Sequence, residues 1–132
     1  MDTTDAGHLM LRLVSGRYAV VRLGPQVAVP AWVEEGELLS ITRTREELSI
    51  VCAQQAIPEG ITAHGGFCCL KVQGPLDFTL VGILASLALP LAQAGISIFA
   101  ISTYDTDYLL LPEASLERAV IVLAQSGHTI LR

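Results

Sequence analysis

Residues 95–123 read GISIFAISTYDTDYLLLPEASLERAVIVL, and their pattern decides the fold. Gly95 is a helix-closing residue for whatever precedes it. Residues 96–101 form an apolar run of strand length, followed by Ser102, Thr103, Tyr104, Asp105, Thr106 and Asp107. Residues 108–111 return as a second apolar strand, so the polar stretch is a turn between two strands. Pro112 and Glu113 then open a helix, in which Leu116, Ala119, Val120 and Leu123 recur at helical spacing. Glu113 and Glu117 lie in its early turns, where acidic groups suit the helix dipole.

The pattern extends in both directions. Upstream, residues 67–72 form a strand that Gly74-Pro75 breaks. Leu80, Ile83, Leu84, Leu87 and Leu91 follow on one helical face, and Val81, Ala85, Ala88 and Leu89 occupy the other side. A helix apolar nearly all round is expected to be covered on both sides. Pro90 lacks a backbone donor and is expected to kink or end that helix near 86–90. Downstream, Gly127 is a C-cap and residues 129–131 a last strand. The order β-α-β-β-α-β specifies an α+β fold of the ferredoxin-like kind, an antiparallel sheet with helices on one face.

The first half is a shorter version. Residues 8–13 and 18–23 alternate like strands joined by a turn at Ser15-Gly16. Residues 30–35 suit one or two helical turns, and 38–42 with 48–53 suit a hairpin. The intervening Arg43, Thr44, Arg45, Glu46 and Glu47 read as a solvated turn. A sixty-residue shift aligns Val27-Ala28-Val29-Pro30 with Leu87-Ala88-Leu89-Pro90, and Ile41-Thr42 with Ile101-Ser102. A fifty-residue shift aligns Gly24-Pro25 with Gly74-Pro75, and one ten-residue deletion in the first helix reconciles the two. The chain thus divides into a shortened unit, 8–62, and a full unit, 66–132.

Composition narrows the function. The 132 residues are 52% hydrophobic and 16% charged, and apolar surface beyond the needs of a core predicts a homodimer. A formal charge of -5 with no Lys or Arg run argues against nucleic acid and against an anionic membrane surface. The start lacks the charged and apolar regions of a secretory signal, and the apolar stretch 80–101 is interrupted by Pro90, Gln93 and Gly95. A cytoplasmic protein is expected. Cys52, Cys68 and Cys69 make a poor disulfide framework and read as small buried side chains. His8, His64 and His128 are scattered singly, so neither a metal site nor a cofactor is expected. No nucleophile elbow, Walker loop, dinucleotide fingerprint or zinc-protease motif is present, and no catalytic residue is assigned. An enzyme would have to use Cys68 or Cys69 with His64 or His128, or Asp107.

Two segments carry binding chemistry. Gly74, Pro75, Leu76, Asp77, Phe78 and Thr79 precede a helix whose N-terminal donors attract a carboxylate; Asp77 or Thr79 serves equally as a plain N-cap. The hydroxyls and carboxylates of 102–107 suit an ammonium or guanidinium group, or bond only their own backbone.

Residues 95–123 resemble the ACT domain, and most resemble the paired ACT modules of amino-acid-responsive aspartate kinases and of the arginine-sensing CASTOR proteins. The resemblance rests on Gly95-Ile96-Ser97, on the turn 102–107 and on Leu109-Leu110-Leu111-Pro112. It covers 66–132, and 8–62 fits as a shortened ACT-like unit. It implies that a small molecule, often an amino acid, binds where the loop after a unit's first strand meets a neighbouring unit. Carried onto this chain, the ligand-binding residues are Gly74, Pro75, Leu76 and Asp77 in the loop and Ser97 on the next strand. Ser102, Thr103, Tyr104, Asp105 and Asp107 contribute from the turn. Other ACT-like units hold no ligand and serve only in assembly. The expected function is therefore an amino-acid-binding regulator, or alternatively a ligand-free interaction module.

Overall fold

The computed structural model describes residues 7–33, 36–74, 76 and 81–132. The chain separates into two compact units. One joins the described residues up to Val14 with Cys68–Arg132; the other is Ser15–Phe67. Residues 8–13, assigned from the sequence to the shortened unit, pair with strands of the first.

The first unit contains β1 (Met10–Leu13), the second half of β5 (Ala63–Val72), α1 (Ile83–Gln93), β6 (Phe99–Ser102) and β7 (Asp107–Pro112). It ends with α2 (Leu116–Gln125) and β8 (Thr129–Leu131). From β5 onward the order is the expected β-α-β-β-α-β. The sheet runs β6-β7-β5-β1-β8, and β1 lies antiparallel to β5 but parallel to β8. The expectation of a wholly antiparallel sheet fails at that one pair. The alternation of 8–13 identifies a strand and its inward face but cannot name its partner. Leu9, Leu11, Leu70, Val72, Leu109 and Leu111 from the sheet share one buried core with Ile83, Leu87, Leu91, Ala119 and Leu123 of the helices. Both helices thus cover the same sheet face.

Two helix expectations need correction. Ile83, Leu87 and Leu91 are buried, whereas Leu84 and Leu89 are 39% and 60% exposed, so within the chain only one side of α1 is covered. The spacing of 83, 87 and 91 is the single stripe that reaches the sheet; Leu80 lies outside the described residues. Pro90 does not end α1, which continues to Gln93. Proline supplies no N–H to the carbonyl four residues back. That carbonyl, on Ser86, receives the Nε2–H of buried His128 instead, at 3.2 Å. Each helix closes in a Schellman motif: Ile96 N–H reaches Leu91 O and Gly95 N–H reaches Ala92 O, with His128 and Gly127 doing the same to Leu123 and Ala124. Gly95 and Gly127 take the left-handed conformation that the motif requires, at φ +74° and +98°.

The second unit contains β2 (Tyr18–Leu23), β3 (Ser40–Arg43), β4 (Leu48–Ala53) and the first half of β5, in the antiparallel order β3-β4-β2-β5. Its strands follow one another with the connectivity of the first unit's β-α-β-β-α-β segment, but the helices are reduced to 3-10 turns at Ala31–Val33 and Gln54–Ala56. The connection from Leu23 to Ser40 carries Pro25 and Pro30, each unfavourable within a helix. Val21, Val33, Leu48, Ile50 and Cys52 form its core. Buried Tyr18 supports the returning segment: its hydroxyl accepts the N–H groups of Glu37 and Leu38, each at 3.1 Å. Ser15-Gly16 is not a hairpin turn between paired strands, because β1 and β2 each pair with β5.

Candidate functional site

The two segments singled out in the sequence meet at one end of the first unit's sheet. β5 ends at Val72, and the following loop passes directly over the β6–β7 turn. Leu76 donates its N–H to Asp105 O at 2.8 Å. A Cβ on Gly74 would stand 3.0 Å from that carbonyl and 3.3 Å from the Thr106 Cβ, so glycine at 74 lets the loop and turn approach without displacing either.

Hydroxyls fix the turn. Thr106 is buried and donates from Oγ1 to Val72 O at 2.6 Å, which ties the turn to the end of β5. Thr103 donates its N–H to Thr106 O at 2.8 Å, and its Oγ1 accepts the Thr106 N–H at 3.2 Å and donates to Thr106 O at 3.0 Å. Both threonines are thereby spent on holding the turn. Ser102 and Asp107 face each other across the strand pair. Tyr104, 85% exposed, and exposed Asp105 project from the tip. The result is a rigid rim with two carboxylates and no basic side chain among its described residues, suited to a positively charged group.

The expected site residues therefore divide. Gly74, Leu76, Ser102, Thr103, Tyr104, Asp105 and Asp107 come together. Ser97 does not: it precedes β6, at the strand end remote from the turn, about 16 Å away for five residues at ~3.3 Å each. Pro75, Asp77, Phe78 and Thr79 lie outside the described residues. The anchoring role of Thr106 depends on Val72 coming beside it, which spacing in the sequence does not show.

The groups considered for nucleophilic chemistry are engaged elsewhere. Cys52, Cys68 and Cys69 are free and buried. Burial pushes the Cys52 and Cys68 thiols up, away from the reactive thiolate. The Cys68 thiol donates to Leu111 O at 3.5 Å. His64 is exposed on β5. His128 uses both ring nitrogens, accepting Leu9 N–H at Nδ1 (3.0 Å) and donating from Nε2. Among the described residues no group of three or more His, Cys, Asp or Glu could hold a metal ion. No helix among them is long and apolar enough to cross a membrane.

Comparison with known proteins places this geometry. A family model described as the ACT domain matches residues 62–125, and a second, describing an N-terminal domain, matches 16–60. The fold is similar to that of a protein from Agrobacterium tumefaciens at 42% identity and a TM-score of 0.89, covering 94% of this chain and 92% of that one. It is also similar to a Vibrio cholerae protein described as of unknown function and a possible transport protein, at 21% identity and a TM-score of 0.76, covering 92% of each. The ligand-free regulatory subunit of aspartate kinase from Thermus thermophilus shares the fold at 14% identity and a TM-score of 0.61, covering 88% of this chain and 95% of that one. No curated protein matches the chain.

Proposed function

Because the chain belongs to the ACT domain family, we propose that it is a regulatory protein and not an enzyme, sensing an amino acid or similar small polar molecule. The ligand sits where the loop after β5 crosses the β6–β7 turn. The observation that carries this reading is the close approach at Gly74, with the Leu76–Asp105 and Thr106–Val72 bonds that hold loop and turn together. Asp105 and Asp107 take the ligand's ammonium. The protein works as a homodimer, which accounts for the exposed apolar side of α1 (Leu84 and Leu89). Free buried cysteines suit a reducing, cytoplasmic setting.

Thermal melts with each of the twenty amino acids test the reading. A ligand that binds only the folded chain adds about 2.7 kcal/mol of stability at a hundred times its Kd. Asp105→Ala and Asp107→Ala should each abolish that shift while leaving the unliganded melt within about 0.5 kcal/mol, as exposed turn substitutions do. If both variants keep the full shift, the site lies elsewhere. If no amino acid stabilises the wild type, the chain is a ligand-free interaction module. That alternative is favoured by one observation: Thr103 and Thr106 already spend their hydroxyls within the turn.

A further inference from the structure

His128 is 5% exposed and joins three elements of the first unit. Its Nδ1 faces the N–H of Leu9, just before β1, so that nitrogen must carry a lone pair. The ring proton therefore sits on Nε2 and points at Ser86 O in α1. That carbonyl is available because Pro90, four residues on, has no N–H to give it. Both partners are backbone groups and cannot exchange donor for acceptor. Only the neutral imidazole with its proton on Nε2 satisfies them.

We propose that His128 is an acid-sensitive latch on β1: a proton taken up at Nδ1 releases this strand from β8. The added N–H would face the Leu9 N–H, so the bond is lost and a charge is buried without a partner. Acid therefore weakens the β1–β8 pairing. The Leu9–His128 bond opens a short ladder that continues through Thr129 N–H to Leu9 O at 2.9 Å and the pairs Met10↔Thr129 and Leu11↔Ile130. β8 is only three residues long.

The surrounding charges do not offset this. α1 carries no titratable side chain. On the β1 side, Arg12 lies on the opposite sheet face from Leu11, and exposed His8 donates from Nδ1 to Gly127 O, a role that survives protonation. On α2 and β8, Arg118 is exposed and Glu117 pairs with Arg132, both at the surface.

Amide hydrogen exchange at pH 7.5 and 5.5, corrected for the intrinsic pH dependence, tests the latch in the intact chain. Protection of Leu9 and Thr129 should fall about tenfold or more at the lower pH, while Ile50 in the second unit holds its protection. In His128→Asn the side-chain oxygen accepts Leu9 N–H at either pH, and the change should largely disappear; His8→Asn should keep it. Equal pH dependence in wild type and His128→Asn overturns the proposal, as does a wild type with no loss. Nitrogen-15 shifts of the His128 ring supply a reading that needs no variant. They should report Nε2–H alone at pH 7.5 and, as the ring protonates, loss of Leu9 protection in step. Protonation that leaves Leu9 protected refutes the latch.

Discussion

Thr106→Val removes one hydroxyl from the candidate site and little else. The valine fills nearly the same volume, so packing is preserved, but Val72 O loses the donor that stands 2.6 Å away in a buried position. A net hydrogen bond is worth about 0.5–1.5 kcal/mol, and a buried group left unpaired costs about 1–3 kcal/mol. The expected loss is therefore roughly 1–2.5 kcal/mol. For a chain of this size that lowers the melting temperature by roughly 5–10 °C. Urea unfolding followed by circular dichroism gives the free energy, and an unchanged m value certifies that both proteins unfold from equally compact states. Thr106→Ser is the control: it retains the donor and should stay within about 1 kcal/mol of wild type after losing one methyl group. A valine variant within 0.5 kcal/mol of wild type (roughly the surface-substitution range), or a serine variant as unstable as the valine one, refutes the view that this bond fixes the turn on β5.

Three further outcomes are expected. His128→Leu strands Leu9 N–H and Ser86 O and should cost roughly 2–4 kcal/mol by denaturant melt; in a Pro90→Ala background the new Ala N–H can serve Ser86 O, so the cost should shrink by about 1 kcal/mol, and a cycle with no coupling contradicts the account of α1. Leu87→Ala, in the core, should cost about 2–5 kcal/mol, whereas Leu84→Asp, at a 39% exposed position, should leave the fold intact and yield monomers in sedimentation; a dimer unaffected by Leu84→Asp removes α1 from the interface. Cys52 and Cys68 should resist iodoacetamide at pH 8 until the chain unfolds; because burial raises both thiols, their contribution is intact below the ordinary thiol value of about 8.5 and is lost as pH rises beyond it, so a melt temperature that climbs above pH 9 contradicts the assignment.

The sequence was most legible where a local pattern settles the answer alone. Leu116, Ala119, Val120 and Leu123 at helical spacing, and the polar turn 102–107 between two apolar runs, identified α2 and the β6–β7 hairpin. Gly95 and Gly127 were legible as helix ends because the Schellman motif asks for a residue at positive φ. Partnership was not legible. Residues 10–13 alternate as any half-buried strand does, and nothing in that alternation chooses between β2 and the slot beside β8. The uniform apolarity of α1 likewise hid which side meets the sheet. At the candidate site, the turn and Gly74 could be found because each is locally unusual. Thr106 and His128 act on carbonyls 34 and 42 residues away, and such pairings appear only once the chain is folded.

The placement of β1 also sets an order of events at the ribosome. Leu9 and His128 meet although they stand 119 positions apart, so β1 is made long before its parallel partner β8. Ser15–Phe67, which lies between, is a compact unit of its own and is made complete before β8. During that interval β1 has β5 on one side while its other edge is open, the kind of edge that recruits neighbouring chains. Closing so distant a contact is slow. Translation speed and chaperone occupancy over the second half should therefore govern the yield of native protein more than the stability of the finished fold does.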